Sequence, residues 1–558
     1  MATEKEEFVK EFGDGYGYSN SKYIDEIRAT EFKRLEQNGI VYLDHAGATL
    51  YSELQMEEIL KDFASTVYGN PHSQSDSSIK TTELISDVRQ MTMEFCRASP
   101  EEYRCIFTAG ATAALKLVGE NFPWSPSSSF FYTSENHNSV LGIREYSLDH
   151  GASAVAVDII EPTDGSSCPK IFQRPAQRRN CTKYLSQFKD ETFNLFAFPS
   201  ECNFTGLRFD MNLVNIIKNN SDRILEGSSN SINTRGNRWL VLVDAAKGCA
   251  TQPPDLSKYP ADFVVLSFYK LFGYPTGIGA LIVRKDAANL LKNTYFSGGT
   301  VSVSLADVDF AKRREDVEEA FEYGSASFLS IISVRHGFKI LSRLTLPAIF
   351  RHITSITSYT RKELSSLRHG NGRKVVEFYG GTVSKIWSNF GSIVSFNLKR
   401  PDESWVGYRE VEKLANLSGI QLRTGCFCNP GACAKFLDLS HHDLLSNFEA
   451  GHVCWDDNDI INGKPTGAVR ISFGYMSTYE DAKSFIDFVK LSFVSSSNCS
   501  VGEVQVDRES PSASEGYLLK SITVYPIKSC GGFDVVSWPL CDTGNLSGMI
   551  NRTFEISS

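Results

Sequence analysis

The stretch ADFVVLSFYKLFGYPTGIGALIV, Ala261–Val283, constrains the chain more than any other. Its apolar run Phe263, Val264, Val265 and Leu266 reads as a fully buried strand. Ser267, Phe268, Tyr269 and Lys270 end that run, and Gly273, Pro275, Gly277 and Gly279 turn the chain behind it. A lysine just past a buried strand stands at the rim of a cleft. Burial there lowers the amine pKa and leaves a nucleophile. Taken alone, Lys270 reads more readily as a solvated lysine closing a strand. Its companions shift that balance.

Strand–turn–helix units recur along the chain. VYLDHAGAT, Val41–Thr49, is a short strand entering a turn of small residues. CIFTAGATAALKLV, from Cys105, is a strand, a glycine turn and a new helix, and RWLVLVDAAKG ends a strand at Asp244. Such units predict an α/β fold with a mostly parallel sheet, whose ligands sit beyond the C-terminal strand ends. We assign residues 1–40 to a helical segment, 41–300 to a large domain and 301–494 to a smaller α+β domain. Residues 495–516 are a Ser-rich linker, and 517–558 hold two β-like runs. Ser52 with Gln55 predicts a capping box. Leu84, Val88, Met91 and Phe95 predict one buried helix face. The region from Val301 to Arg368 is expected to be largely helical. Thr163–Thr182 and Gly227–Asn237 read as loops.

Composition narrows the classes. A formal net charge of -9 gives no reason to expect a nucleic-acid or membrane-surface partner. No apolar run reaches membrane-spanning length. The start MATEKEEFVKEF is neither a secretory signal nor an Arg-rich transit peptide. The 13 cysteines are scattered without an export signal, which predicts a reducing, cytoplasmic setting and free thiols.

Residue types that suit one cofactor follow in order. Ala111 and Thr112 open a helix after a glycine turn, where unpaired N–H groups suit a phosphate. Asp244 can hold a pyridine nitrogen protonated. Ser267 and Tyr269 can donate hydrogen bonds beside Lys270, His137 can stack on a ring, and Asn203 can bond a ring hydroxyl. Each alone has a structural reading; Asp244, for example, suits a helix cap. Together they read as a site for pyridoxal phosphate held by Lys270 as a Schiff base. In RTGCFCNPGAC, Arg423 can grip a carboxylate through two hydrogen bonds, and Arg470 is a second such candidate. Cys426, Cys428 and Cys433 form a poor zinc pattern, and no metal is expected. They read either as buried thiols or as a mobile loop carrying a nucleophile.

YLDHAGAT, YGNPHS, LSFYKLFGYPTGIGALIV, RTGCFCNPGAC and GHVCWDDNDIINGKPTGAVRISFGYMS carry a resemblance over about Val41–Phe493. The chain resembles the pyridoxal-phosphate-dependent cysteine desulfurases of the class V aminotransferase type. More narrowly, it resembles the eukaryotic, plant-like molybdenum cofactor sulfurases. The resemblance implies fold type I and a homodimer. It makes Lys270 the cofactor lysine and Ala111, Thr112 and Ser267 phosphate contacts. His137 stacks, Asn203 meets the ring oxygen and Asp244 the ring nitrogen. Gly298–Thr300 reaches the phosphate of the partner subunit. Cys428 takes the persulfide position ahead of Cys426 and Cys433, and Arg423 and Arg470 bind the L-cysteine carboxylate. Sulfur then passes to the molybdenum cofactor, activating xanthine dehydrogenase and aldehyde oxidase.

Two positions depart from the desulfurase pattern: Tyr269 stands where His is usual and Lys247 where Gln is usual. LKSITVYPIKSCGGFDVVSWPLC resembles the start of the β-barrel and MOSC region of these proteins, and the chain stops soon after it. That predicts a truncated product. Two alternatives stay open at this point. One is a dimer that binds the cofactor, or even desulfurates cysteine, without sulfurating the molybdenum cofactor. The other is an aminotransferase or lyase.

Overall fold

The computed structural model describes residues 3–18, 21–160, 170–176, 192–225, 238–380, 387–453, 456–495, 522–524 and 533–535. Eight strands build the main sheet. They are β1 Tyr103–Thr108, β2 Ser129–Thr133, β3 Ser153–Ile160, β4 Lys170–Pro175, β5 Phe193–Pro199, β6 Arg238–Asp244, β7 Phe263–Ser267 and β8 Gly279–Arg284. Their spatial order is β1-β8-β7-β6-β5-β2-β3-β4. The run β7-β6-β5-β2-β3 is parallel, whereas β8 is antiparallel to both neighbours and β4 to β3. Every residue of β2, β5 and β7 is buried. Helices therefore cover both faces, as an apolar parallel sheet requires. The sequence expectation of an α/β fold with a mostly parallel sheet matches this architecture.

A second sheet lies C-terminal to the first. Its strands are β9 Val376–Tyr379, β10 Ile393–Leu398, β11 Arg423–Gly425 and β12 Ala468–Ser472, in the order β9-β10-β12-β11 with antiparallel pairing. The helix Leu346–Ser366 and the closing helix Tyr479–Phe493 pack with it, whereas the helix Phe328–Leu344 packs mainly against the helix Asp76–Phe95. The N-terminal helix Glu4–Phe12 belongs to this part: Phe8 stacks among Tyr16, Tyr359 and Tyr479. Val41–Tyr42, at the expected start of the large domain, pairs in parallel with Ile420–Gln421 of the smaller one.

Several local expectations are corrected. Ser52 accepts from the Gln55 N–H, but the Gln55 side chain donates to the Tyr274 carbonyl, so the capping box is half formed. In the helix Asp76–Phe95 the buried stripe is Thr81, Ile85, Val88 and Thr92, and Met91 faces outward. Val301–Ser304 and Ala311–Arg313 form a hairpin ahead of the helices. Cys426 and Cys433 are joined as a disulfide, against the expectation of free thiols. Of the two β-like runs near the end, Ile522–Val524 and Phe533–Val535 pair antiparallel. The linker over 496–516 lies outside the described residues. No helix among the described residues is long and apolar enough to cross a membrane.

Candidate active site

Lys270 lies in the short helix Phe268–Phe272, directly after β7. Thr49 donates to the Lys270 carbonyl across 2.9 Å, which ties the Val41–Thr49 turn beneath the lysine. Burial pushes the Lys270 ammonium below the ordinary lysine range. Asp244 opposes that shift, Arg470 and Lys247 reinforce it, and Asp44 opposes it again. The same field reaches His137: burial lowers its pKa, Asp244 raises it and Lys270 lowers it. Lys270, Asp244 and His137 therefore share one site, although they come from three separate strand ends.

Asp244 is the last residue of β6 and accepts from the Ala246 N–H at 3.0 Å. His137 caps the turn Asn138–Leu141, its Nδ1 accepting from the Ser139 N–H at 3.1 Å. The Ser139 hydroxyl lies 2.9 Å from that of Thr112. Thr112 is in the first turn of the helix Ala111–Asn121, so His137 and the helix N-terminus are joined through Ser139. Gly110 precedes that helix with φ of +119°. A Cβ on Gly279 of β8 would lie 2.8 Å from Gly110 C and 2.9 Å from Ala111 N. The turn is thus a close-fitting cradle of backbone, with the free N–H groups of an 11-residue helix opening from it. Ser267, 1% exposed, ends β7 beside the Tyr269 phenol. Burial raises the Tyr269 pKa. An amine of lowered pKa, a carboxylate, an imidazole and an N–H cradle fit an aldehyde-bearing pyridine phosphate, so pyridoxal phosphate fits these residues.

The cysteine loop docks against this group. The Asn203 amide donates to the Phe427 carbonyl at 2.7 Å, and Asn429 donates to the Asn203 oxygen at 2.8 Å and to the Glu135 carbonyl at 2.7 Å. The Asn138 N–H donates to the Cys428 carbonyl at 2.8 Å. Lys435 pairs with Glu135 at 2.6 Å and with Asp158 at 3.1 Å, anchoring the helix Pro430–Phe436 that follows. Phe427 and Cys428 both have φ of +55°. Such backbone costs roughly 1–2 kcal/mol per non-glycine residue, so the docking contacts must offset it. Among the described residues, Cys428 is the exposed free thiol; Cys96, Cys105, Cys202 and Cys249 are buried.

Arg423 and Arg470 face each other across the β11–β12 pair. Arg470 is 3% exposed and donates to Asp44 at 2.8 Å and to the Asn203 carbonyl at 2.9 Å. Burial pushes its guanidinium pKa down, Asp44 raises it and Arg423 lowers it. Arg423 reaches Asp44 at 4.0 Å.

Of the residues singled out in the sequence, contacts and charge interactions link Thr112, His137, Asn203, Asp244, Ser267, Tyr269, Lys270, Arg423, Cys428 and Arg470 into one group, with Ala111 beside Thr112. Thr300 is not linked to that group. Its hydroxyl accepts from the Ser297 N–H at 2.8 Å and donates to the Ser297 carbonyl at 2.9 Å. Lys247 does not take up a ring-facing role either: it donates to Ser392 at 3.0 Å and pairs with Glu201 at 3.3 Å, both buried. Sequence reasoning missed Asp44, Phe427 and Asn429. Asp44 and Phe427 lie inside quoted motifs, but only their three-dimensional contact with Arg470 marks them.

Comparison with known proteins agrees with this geometry. The sequence profile described as aminotransferase class-V matches residues 41–186 and 226–485. The chain is 62% identical to molybdenum cofactor sulfurase of Arabidopsis thaliana, over 97% of this chain and 68% of that protein. It is 63% identical to the same-named protein of Solanum lycopersicum, over 98% of this chain and 67% of that one. Among solved structures, a cysteine desulfurase of Thermococcus onnurineus superposes with a TM-score of 0.61 at 19% identity, covering 84% of this chain and 97% of that one. A cysteine desulfurase of Escherichia coli gives a TM-score of 0.58 at 17% identity, covering 84% and 98%. These two share the fold. The chain therefore belongs to the class V aminotransferases and, within them, to the molybdenum cofactor sulfurase family.

Proposed function

We propose that this chain uses pyridoxal phosphate to take sulfur from L-cysteine, leaving a persulfide on Cys428 and releasing alanine. The observation that carries this reading is an exposed free thiol on a loop hydrogen-bonded to Asn203 beside Lys270. When bound, pyridoxal phosphate supplies an electron sink for charge at the substrate Cα. The lowered pKa of Lys270 suits its amine to hold the cofactor and then to move the Cα proton as a general base. With that cofactor bound, Asp244 would keep the pyridine nitrogen charged, His137 would cover the ring and Asn203 would meet the ring oxygen. Ala111, Thr112 and Ser267 would hold the phosphate, with Tyr269 donating beside them. Arg470 and Arg423 grip the substrate carboxylate. The Cys428 thiolate attacks the substrate sulfur: an S–S bond forms, the Cβ–S bond breaks, and the carbon leaves as alanine once protonated.

The persulfide sulfur then passes to the molybdenum cofactor, where it replaces an oxo ligand. That step activates xanthine dehydrogenase and aldehyde oxidase. A homodimer is part of the proposal, with the Gly298–Thr300 turn reaching the phosphate of the partner subunit. An exposed apolar patch of Tyr295, Phe296, Val303, Leu305, Val308 and Phe310 surrounds that turn in sequence and supports it. A cytoplasmic location rests on the five free cysteines among the described residues, against which the Cys426–Cys433 disulfide counts.

Incubation with L-cysteine tests the reading. Stoichiometric release of alanine and transferable sulfur is expected. Formation of a keto acid, or of pyruvate and ammonia, would instead show an aminotransferase or a lyase.

A further inference from the structure

The ring of Phe427 lies over the guanidinium of Arg470, with 4.5 Å from Cζ to the ring centroid. Phe427 immediately precedes Cys428 and is 7% exposed. Its φ of +55° is a conformation that a bulky side chain seldom adopts. Arg470 is held within its plane by Asp44 and the Asn203 carbonyl and on its face by Phe427. Its Nε–H is buried and has no hydrogen-bond partner. A buried cation with one donor unpaired is ready for an incoming carboxylate. The ring is held there by the charge of the arginine, an attraction that grows when the pair is removed from water.

We propose that Phe427 is a positioning residue that couples recognition of the substrate α-carboxylate at Arg470 to delivery of Cys428. An anion bound to Arg470 cancels much of the charge that the ring feels. The stacked contact weakens, and the two left-handed residues lose one of the restraints that offset their backbone cost. The loop tip then moves, and Cys428 reaches the substrate sulfur only when an amino acid with a free carboxylate is in place. The site thereby discriminates against thiols without a carboxylate, through thiol delivery as well as through binding. This rests on the desulfurase reading above and adds the substrate feature that releases the loop.

The test uses full-length holoenzyme with L-alanine, an unreactive amino acid, and with alaninol, which lacks the carboxylate. The rate of Cys428 alkylation by iodoacetamide is read by peptide mass spectrometry. L-alanine is expected to raise that rate about threefold or more, and alaninol to leave it unchanged. Phe427→Tyr keeps an aromatic face and is expected to keep the response. Phe427→Leu is expected to alkylate fast without L-alanine and to respond no further. Its kcat for alanine release from cysteine falls while KM changes little. Equal effects of L-alanine and alaninol on the wild-type chain would overturn the proposal, as would an L-alanine response in Phe427→Leu that matches wild type. Neither comparison requires turnover. Absence of alanine release by the wild-type chain would sink the desulfurase reading instead, so the two failures are separable. Should Phe427→Leu not fold, the wild-type and Phe427→Tyr arms still decide.

Discussion

The side-chain amide of Asn203 donates to the backbone carbonyl of Phe427 across 2.7 Å, joining the main sheet to the loop that carries Cys428. The other end of the same amide accepts from Asn429. One side chain therefore orders the loop from both flanks of the cysteine. Asn203→Ala is expected to raise amide hydrogen exchange over Phe427–Asn429 and to lower alanine release by about tenfold, the equivalent of losing one well-placed hydrogen bond. Unchanged exchange over those residues would show that the loop is ordered without Asn203.

Lys270→Ala removes the amine that sits between Asp244 and Arg470 in the charge balance of the cleft. The variant is expected to lack the visible absorbance band of covalently held pyridoxal phosphate while keeping its fold by circular dichroism. A retained band would place the cofactor on another lysine.

Gly279→Ala tests the cradle. A methyl group there would meet the Leu266 carbonyl oxygen at 2.6 Å and the Gly110–Ala111 peptide at 2.8 and 2.9 Å. Backbone cannot yield as a flexible side chain can, so the helix N-terminus must shift. Weaker binding of pyridoxal phosphate, by about tenfold or more, is expected from equilibrium dialysis. Wild-type affinity would mean that the phosphate does not rest on this turn.

His352 fixes an acid limit to stability. It accepts from the Gly17 N–H at 3.1 Å and donates to the Ser477 carbonyl at 2.9 Å, a pairing that suits only the neutral ring. Burial is the main cause of its low pKa, pushed down from 6.5 to about 4, with the Ser477 bond opposing it. The unfolded chain therefore binds this proton at a higher pH than the folded one. Stability from this group is full above pH 6.5 and falls as pH drops toward 4, by about 1.4 kcal/mol per pH unit. His352→Gln is expected to be less stable at pH 7 but to lose less between pH 6.5 and 4 in thermal melts. Parallel pH profiles for the two chains would contradict this.

Much of the fold was legible because buried parallel strands leave continuous apolar runs. Phe263–Leu266 could hardly be anything else, and Asp244 and Lys270 stood out as polar residues ending such runs. The helix Asp76–Phe95 was misread because Thr81 and Thr92 are buried and bond back to the preceding turn, so apolar letters did not mark the face. The hairpin at Val301–Ser304 is outward-facing and carries no buried alternation for sequence to show. Lys247 stands where the desulfurase pattern has Gln, three residues after Asp244. It turns to Glu201, a buried carboxylate that no local pattern reveals. Asp44 and Phe427 acquire meaning only through Arg470, which lies 426 residues from Asp44 and on the strand paired with the one that leads into Phe427.

The most direct measurement is mass-spectrometric mapping of persulfide after the holoenzyme has been incubated with L-cysteine. The account predicts an added sulfur atom on the peptide containing Cys428, and its loss in Cys428→Ala, which keeps the cofactor but releases no alanine. Persulfide found only on another cysteine, with full turnover in Cys428→Ala, would contradict it.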